Sequence, residues 1–479
     1  MRDHIGLRIA FALTLVGLNF SASIAVAEES NRNLNVVFIL VDDLGWTDLA
    51  CYGSDFHETP HIDRLAESCL RFSNAYSASP VCSPTRAAIL TGKSPARLDM
   101  TIWHEGAVDG GPKDRPLLNA ISQPNLPHEE VTLAERFRQA GYYTAHIGKW
   151  HLGTAAHYPE TQGFDLNVGG TFWGAPSTFH FPFSGPWSKS NPEFRYVPGL
   201  APGKPGDYLT DRLTDEAIGV IEKVRDRPFF LSLWYHTVHS PIEGRPDIVE
   251  SFESRKKGLN HKNAEYAAMV KSLDDNVGRV VEKLEQLNIL DQTIVIFTSD
   301  NGGVDFPTRS GIPTSNSPLR SGKGTLYEGG IRVPLMIRWP GKTKAKSTCH
   351  EMVTSEDFAP TLIEGLGLSH NPKTPDGISL FGLLDSPTTH LDRNTLYWHF
   401  PHYYPRMTPG SAIRQDNWKL IHFYEDNRVE LYNLDQDTPE SHDLAKQRPL
   451  VAKRLLNELD VWRNTLGANA PRANPAPQK

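Results

Sequence analysis

Residues 36–43 read Val-Val-Phe-Ile-Leu-Val-Asp-Asp, six apolar residues followed by two carboxylates. An uninterrupted apolar run that is rich in β-branched residues predicts a strand buried on both faces of a sheet. Residues 229–234 and 293–297 form similar runs, and polar residues follow the second of them at positions 299–301. A further buried strand is predicted at residues 335–337. The chain therefore contains several central strands, and two of them lead directly into acidic residues.

Helical periodicity appears between two of these strands, because apolar residues recur at helical spacing over residues 266–284. Alternation of strand and helix predicts an α/β fold with a large, mostly parallel sheet sandwiched by helices. In such sheets, ligands bind at the carboxyl ends of the strands. Asp42 and Asp43 follow one strand, and Asp300 and Asn301 follow another, so these four residues are candidates for function.

The composition of the chain changes from about Ser369 onward. Short aromatic runs then alternate with turns, and a helix is predicted from Pro449 to Thr465. This pattern predicts a smaller C-terminal antiparallel α+β subdomain over residues 369–479, after a larger domain over residues 28–368 that holds the candidate functional residues. The tail after Gly467 is rich in proline, alanine and asparagine, and is expected to be loose.

The overall composition excludes several classes of protein. The 479 residues include 49 Lys+Arg, 56 Asp+Glu and only 4 Cys, which gives a net charge of −7. A mildly acidic chain with few cysteines is neither a basic nucleic-acid binder nor a disulfide-stapled mini-protein. Hydrophobic residues make up 39% of the chain, which suffices for large cores but not for a polytopic membrane protein.

The first 27 residues have the features of a signal peptide. Arg2 and Arg8 precede an apolar run over residues 9–20, and the small residues Ala25 and Ala27 flank Val26 in a cleavage pattern. A buried helix or an uncleaved anchor is the alternative reading. No later stretch is long and apolar enough to hold the mature chain in a membrane, so a secreted or periplasmic location is expected.

Residues 82–92 read Cys-Ser-Pro-Thr-Arg-Ala-Ala-Ile-Leu-Thr-Gly, the most informative segment of the chain. It resembles the signature of the type I sulfatases, Cys/Ser-x-Pro-x-Arg followed by Leu-Thr-Gly. The resemblance covers nearly the whole mature chain and extends, in the order of the family, to residues 42–46, 59–65, 148–153, 298–302 and 322–330. It implies an alkaline-phosphatase-like fold and the hydrolysis of sulfuric esters.

The resemblance also implies a modified residue and a metal ion. In that family the cysteine at the position of Cys82 is oxidised by a formylglycine-generating maturation enzyme to Cα-formylglycine, whose hydrated aldehyde is the nucleophile. The oxygen atoms of Asp42, Asp43, Asp300 and Asn301 suit Ca²⁺ or Mg²⁺ rather than a soft metal. Either acidic motif alone is more typical of a turn. The resemblance favours calcium, with the modified Cys82 as a further oxygen ligand.

The resemblance also implies that three cationic side chains act on the sulfate group and its surroundings. By resemblance, Arg86 holds the formylglycine and the surroundings of the ion, while Lys149 and Lys323 bind sulfate oxygens. Glycine on both sides of Lys323 and directly before Lys149 favours close approach of a ligand to the backbone. A lone lysine is more often a solvated surface group, so these roles depend on the whole set of motifs.

Two histidines are implied to carry protons, since imidazole can both give and take a proton near neutrality. By resemblance, His151 is the base that collapses the sulfated hemiacetal intermediate, and His239 protonates the departing alcohol. The family commonly has proline where this chain has Val238, so His236 is a rival for the second role. The proline at position 241 favours His239.

Substrate contacts are expected in loops that mix aromatic residues with histidine, where side chains stack on sugar rings and bind hydroxyl groups. The candidates are His104, Trp173, His180 and His402, although packing within long loops explains such residues equally well. The chain resembles bacterial secreted carbohydrate sulfatases, which implies a sulfated saccharide of the galactose or N-acetylgalactosamine type.

Two other functions are compatible with the same scaffold. A phosphomonoesterase or phosphodiesterase of the superfamily requires a serine or threonine nucleophile and two transition-metal sites with more histidine ligands. If the chain were a non-catalytic glycan-binding protein, at least one catalytic position would carry a different residue type, and the sequence shows no such change.

The cysteine count limits the number of disulfides. If Cys82 is modified, Cys51, Cys69 and Cys349 remain, so at most one disulfide can form.

Overall fold

Strand β1 (Asn35–Val41) lies inside an eight-stranded sheet, as its apolar run predicts. The structure is a computed structural model that describes residues 34–189, 191–369 and 375–475. The remaining strands of the sheet, in chain order, are β2 (Leu70–Phe72), β3 (Tyr143–Gly148), β4 (Leu166–Val168), β5 (Phe229–Trp234), β6 (Thr293–Ser299), β7 (Leu335–Arg338) and β8 (Ser347–Cys349).

The sheet is almost entirely parallel, which confirms the α/β prediction. Its strand order is β8-β2-β7-β6-β1-β5-β3-β4. Only β7 runs antiparallel to its neighbours β6 and β2. The predicted strand at residues 335–337 is therefore present, with the opposite direction to the rest.

Helices cover both faces of the large sheet. The α-helices of the described residues are α1 (Pro60–Glu67), α2 (Cys82–Thr91), α3 (His104–Asp109), α4 (Leu133–Gln139), α5 (Leu209–Val224), α6 (Pro246–Glu253), α7 (Ala264–Gln286), α8 (Glu328–Ile331), α9 (Phe358–Leu366) and α10 (Pro449–Leu466). Successive residues of β1 point to opposite faces. Val37 and Ile39 pack in a core with α5 and α7, and Val36 and Phe38 pack in a second core with α2, α4 and α9.

The register of the parallel strands brings the acidic segments together. Val41 at the end of β1 lies opposite Ser299 at the end of β6. Asp42 follows β1 and Asp300 follows β6, so both residues lie at the same edge of the sheet. Neighbouring strand ends thus account for the proximity of two motifs that are far apart in sequence.

A four-stranded antiparallel sheet forms the C-terminal part of the fold, as predicted. Its strands are β9 (Thr395–Phe400), β10 (Gly410–Gln415), β11 (Trp418–Phe423) and β12 (Val429–Asn433), in that order. Leu455 and Leu459 of α10 pack on one face of this sheet. Trp398 and Ile421 on the other face pack against Leu326 and its neighbours, close to the edge of the large sheet.

The boundary between the two parts remains a prediction at residues 368/369. Leu380, Leu383 and Leu384, which follow this boundary, still pack in the core of the large sheet beneath α9.

The other strands of the described residues form three two-stranded pairs. They are Ala75–Tyr76 with Val353–Thr354, Leu117–Leu118 with Arg472–Ala473, and Ser184–Pro186 with Phe194–Tyr196.

Residues 468–475, the described part of the tail after Gly467, are more ordered than their composition predicts. Arg472–Ala473 pairs with Leu117–Leu118, and the Asn474 side chain donates hydrogen bonds to the carbonyl oxygens of Lys113 and Arg115. An asparagine side chain that satisfies two carbonyl groups fixes a segment that has little apolar surface to bury.

Three further predictions concern the signal peptide, membrane-spanning helices and a disulfide. The predicted signal peptide, residues 1–27, lies outside the described residues. Within the described ranges, no helix has both the length and the apolar character that a membrane crossing requires. Cys51, Cys69, Cys82 and Cys349 are all free thiols, so the one disulfide that the sequence allowed does not form in this structure.

Candidate active site

Two buried carboxylate segments meet at the carboxyl edge of the sheet. Asp42, Asp43, Asp300 and Asn301 are at most 1% exposed. The Asp43 backbone N–H donates to Asp300 Oδ1 at 3.2 Å, and Asn301 Nδ2 donates to Asp43 Oδ1 at 2.8 Å. Asn301 Oδ1 is buried and has no hydrogen-bond partner among the described residues.

Helix α2 begins at Cys82 and directs its N-terminus at this edge. Val81 before it is extended, and Gly92 ends it in the left-handed conformation. Free N–H groups at a helix N-terminus favour a negative charge there. Cys82 Sγ lies 3.7 Å from Asp42 Oδ1 and 3.6 Å from Lys323 Nζ. Burial raises the pKa of the Cys82 thiol to about 12, so an unmodified cysteine is a neutral, weak nucleophile at this position.

Three buried cations pair with the three carboxylates. Arg86 donates to Asp300 Oδ2 through Nε at 3.0 Å and Nη2 at 2.7 Å. Lys149 Nζ donates to Asp42 Oδ2 at 2.7 Å. Lys323 Nζ lies 2.7 Å from Asp43 Oδ1. Because these charges balance, a divalent cation in the same place would make the site positive and attractive to an anion.

The donor set fits a hard divalent cation. Ca²⁺ and Mg²⁺ take oxygen ligands, and this edge offers three carboxylates and an amide oxygen. Asn301 Oδ1 is an orphaned buried acceptor, which is costly unless a ligand satisfies it. Donor atoms of Asp42, Asp43, Cys82 and His239 all lie within 4.8 Å of one another.

His151 is held by a carboxylate that the sequence analysis did not single out. His151 Nε2 lies 2.7 Å from Glu105 Oε2, and Nδ1 has no hydrogen-bond partner in the described part of the chain. Glu105 Oε1 accepts the Gly174 backbone N–H at 3.2 Å. Burial lowers the pKa of His151 to about 4, although Glu105 opposes that shift. The imidazole is therefore neutral near pH 7 and can accept a proton.

The structure distinguishes between the two histidines of the 236–239 segment. His239 Nε2 lies 3.6 Å from Asp43 Oδ2, and its Nδ1 lies 2.7 Å from the Ser240 carbonyl oxygen. Burial, followed by the charge of Lys323, keeps the pKa of His239 well below its usual value. His236 is buried, lies away from the cavity lining, and its two ring nitrogens lack partners among the described residues. Geometry thus favours His239 over His236.

A cavity of about 510 Å³ opens above these residues. Cys82, His151, His239 and Lys323 contribute to its lining, whereas Arg86 and Lys149 are fully buried and absent from it. The rest of the wall comes from residues within 103–109, from Tyr404, and from Phe172, Gly174, Ala175, Trp187, Asn191, Glu193 and Arg195. All six predicted catalytic residues therefore lie at one edge of the sheet, four of them facing the cavity.

The predicted substrate contacts need correction. His104 lines the cavity, but Trp173, His180 and His402 do not. Trp173 Nε1 instead donates to Glu193 Oε1 at 3.0 Å, behind the wall. His402 is 1% exposed, and its Nε2 lies 2.7 Å from Thr101 Oγ1. Aromatic and histidine content alone did not distinguish packing residues from lining residues.

Charged residues of the wall escaped the sequence analysis. Glu105, Glu193 and Arg195 line the cavity, and Arg195 Nη2 lies 3.0 Å from Glu193 Oε2 and 3.7 Å from Glu105 Oε1. Glu105 lies in the short helix α3, and Arg195 lies in the short strand Phe194–Tyr196; neither element is long enough to show an apolar periodicity. The one available signal was that Glu105 directly follows His104 in a segment already singled out.

The chain is similar in sequence and in overall structure to several known proteins. The family profile described as Sulfatase matches residues 34–368, and that of N-sulphoglucosamine sulphohydrolase, C-terminal, matches residues 322–464. A protein named Sulfatase from Formosa agariphila is 34% identical, with 96% of this chain and 94% of the relative covered. N-acetylgalactosamine-6-sulfatase from Homo sapiens is 32% identical, with 76% of this chain and 69% of the human protein covered.

A solved structure described as "Crystal structure of Ps i-CgsB" is also similar, with a TM-score of 0.74 and 30% identity. The comparison covers 90% of this chain and 93% of that one. A second structure of that protein, described as "in complex with k-i-k-neocarrahexaose", has the same TM-score at 28% identity.

Proposed function

Because this chain belongs to the sulfatase family, it is a sulfuric ester hydrolase, and we propose that it removes sulfate from a sulfated saccharide with a modified Cys82 as the nucleophile. The observation that carries this proposal is the position of Cys82. It begins α2 at the floor of the cavity, between Asp42 and Lys323, where a thiol itself is unreactive. Conversion of Cys82 to Cα-formylglycine by a maturation enzyme supplies the hydrated aldehyde that can attack sulfur.

The acidic edge and the lysines compensate the charge of the sulfate ester. Asp42, Asp43, Asp300 and Asn301 would hold Ca²⁺, or Mg²⁺, which supplies positive charge beside the sulfate oxygens. Lys323 lines the cavity and is proposed to bind sulfate oxygens. Lys149 is buried against Asp42 outside the lining, and is proposed to reach them once an ion takes over Asp42. Arg86 fixes Asp300 with two hydrogen bonds. Fixed positive charge in a water-poor site lets one anionic group approach another.

Two histidines move the protons. One oxygen of the hydrate attacks sulfur and loses its proton to Nε2 of the neutral His239, the bond from sulfur to the alcohol oxygen breaks, and His239 passes that proton on to the alcohol oxygen. His151 then takes the proton of the remaining hydroxyl through Nδ1, so that the sulfated hemiacetal collapses to aldehyde and sulfate. Glu105 accepts the Nε2 proton of His151 in a hydrogen bond and thereby leaves Nδ1 as the acceptor.

The saccharide class rests on the similar proteins. One is named an N-acetylgalactosamine-6-sulfatase, and another was solved in complex with a neocarrahexaose. We infer a sulfated galactose or N-acetylgalactosamine unit as the substrate. Residues 1–27 are proposed to direct the chain to the periplasm or outside the cell.

The decisive experiment combines mass spectrometry with activity. The chain is produced with a formylglycine-generating enzyme, and the tryptic peptide Phe72–Arg86 is weighed. We expect the mass of the aldehyde form, together with sulfate release from a panel of position-defined sulfated saccharides. Cys82→Ala should abolish release and leave the fold intact, whereas Cys51→Ala, at a free thiol outside the cavity, should retain it. An unmodified thiol throughout an active sample would overturn the proposal.

A further inference from the structure

A second cavity adjoins the candidate active site across Tyr404. This cavity has a volume of about 490 Å³, and Tyr404 is part of the lining of both cavities. Its walls include Pro112, Arg115, residues 403–408 and Phe423 of strand β11. It is called the arginine cleft here, because Arg115, Arg406 and Arg428 line it.

Arginines are the only charged side chains in the described lining of the arginine cleft. Their carboxylate partners lie outside the lining: Arg406 Nη1 is 2.6 Å from Asp305 Oδ2, and Arg428 pairs with both Asp426 and Glu430. Among the described residues, Arg115 has one weak pairing, 3.8 Å from Asp114. A guanidinium has five N–H donors, so Arg115 and Arg406 retain donors for an anion.

Aromatic rings lie between the arginines. Tyr327, Tyr403, Tyr404 and Phe423 are part of the lining, and the Arg428 guanidinium lies 3.7 Å from the centre of the Phe423 ring. Aromatic faces provide stacking surfaces for the apolar faces of sugar rings, and guanidinium groups match the oxygens of sulfate. The cleft therefore combines both groups that a sulfated sugar requires.

Two anchors fix the cleft. Tyr404 and Met407 exchange backbone hydrogen bonds of 2.9 and 3.0 Å, which close a tight turn with Arg406 near its tip. The segment of Arg115 is held by the C-terminal tail, since Asn474 Nδ2 donates to the Arg115 carbonyl oxygen at 2.9 Å. Tyr403 OH accepts the Leu117 backbone N–H at 3.3 Å. The unexpected order of the tail thus maintains one wall of the cleft.

We propose that the arginine cleft binds a second sulfated sugar unit of the same saccharide, next to the unit whose ester reaches Cys82. This inference rests on the proposed function and extends it to an oligosaccharide with at least two sulfated units. The opposite wall of the catalytic cavity carries Glu105, Asp109 and Glu193, with Arg195 as its paired cation. A polyanionic chain is repelled by that wall and directed past Tyr404 into the cleft.

Binding of a defined probe tests the inference separately from turnover. The probe is a sulfated galactan hexasaccharide, compared with the same hexasaccharide after chemical desulfation, and the protein is the full chain with Cys82→Ala to prevent hydrolysis. Dissociation constants are measured by calorimetry for this protein and for Arg115→Gln and Arg406→Gln in the same background. Arg225→Gln is the matched control, because Arg225 is similarly exposed and pairs equally weakly with its neighbour Asp226, at 3.9 Å.

We expect the sulfated probe to bind more tightly than the desulfated one, and each cleft substitution to weaken it about tenfold, the effect of losing a charge-assisted hydrogen bond. Arg225→Gln should bind both probes like its parent. Unchanged affinity in the cleft variants, or a parent that does not distinguish the two probes, would overturn the inference. Loss of sulfate release by the mature enzyme, with arginine-dependent binding retained, would instead overturn the proposed function alone.

Discussion

Glu105 Oε2 lies 2.7 Å from His151 Nε2, while His151 Nδ1 has no partner among the residues that the structure describes. A carboxylate that accepts from one ring nitrogen fixes the tautomer and leaves the other nitrogen as the base. Glu105 is itself fixed by the Gly174 N–H at 3.2 Å. It is therefore a positioning residue for the predicted base.

Replacement of Glu105 by glutamine is the first prediction. The amide can donate to His151 Nε2 and favour the wrong tautomer, so kcat should fall by up to about 100-fold, with KM little changed. Burial, Lys149 and Arg86 lower the pKa of His151, whereas the negative charge of Glu105 raises it. Glu105→Gln removes that charge, so the acid limb of the pH–rate profile should shift to lower pH. Glu351→Gln, which alters a glutamate–histidine pair of 2.9 Å outside the cavity, is the control. An unchanged profile and kcat would contradict the assigned role.

The second prediction concerns the glycine behind His151. A Cβ atom on Gly174 would lie 2.4 Å from His151 Cε1, so Gly174→Ala should displace the ring and reduce kcat. Gly219→Ala is the matched control: this glycine lies within α5 with open space around it, and alanine should stabilise the helix by about 0.5–1 kcal/mol. Thermal unfolding and kcat are measured for both. Full activity of Gly174→Ala would show that the ring is not tightly held.

Sequence patterns predicted those features that depend on burial. The apolar runs of β1 and β6 gave the strands, and the parallel register then placed Asp42 beside Asp300. The direction of β7 was not predicted, because an apolar run carries no information about direction. Long-range polar contacts were also hidden: Glu105 meets His151 from 46 positions away, and no spacing rule connects them.

Composition was a poorer guide than periodicity. The tail after Gly467 was expected to be loose, yet Asn474 fixes it through hydrogen bonds to backbone carbonyls. His402 was expected to contact substrate, yet it is buried inside the fold, where its Nε2 contacts Thr101 Oγ1. Both errors arose because residue type alone does not indicate which partner a polar side chain will find.

Metal removal gives the third prediction. Chelation followed by dialysis should abolish sulfate release and lower the Tm, because a ligand that binds only the folded state stabilises it. Added Ca²⁺ should restore both, and Mg²⁺ tests the alternative. Asn301→Leu, which removes the orphaned Oδ1, should weaken the affinity for Ca²⁺ as measured by calorimetry. A chelated protein with undiminished activity and Tm would exclude a role for the ion.

The fourth prediction concerns Lys419, a buried cation outside the catalytic cavity. Its Nζ lies 2.9 Å from both Glu328 Oε1 and Glu440 Oε1, and all three side chains are fully buried. Lys419→Met leaves two buried carboxylates without their shared cation, and should lower the free energy of unfolding by about 3–5 kcal/mol. Lys346→Met, at an exposed ion pair of 3.9 Å, should change it by less than about 0.5 kcal/mol. Denaturant unfolding distinguishes the two, and equal effects would contradict the prediction.

The same cluster gives the final prediction, a dependence of stability on pH. Burial and the nearby charge of Glu328 raise the pKa of Glu440 to about 7, although Lys419 opposes them. Unfolding restores an ordinary pKa near 4.5, so between these two values the unfolded chain loses a proton that the folded chain keeps. The stability of the wild type, relative to Glu440→Gln, should therefore fall as pH rises from about 4.5 to about 7 and remain constant above. The difference between the two proteins removes the contribution of titrating groups that do not interact with Glu440, and a difference independent of pH would mean that folding does not raise the pKa of Glu440.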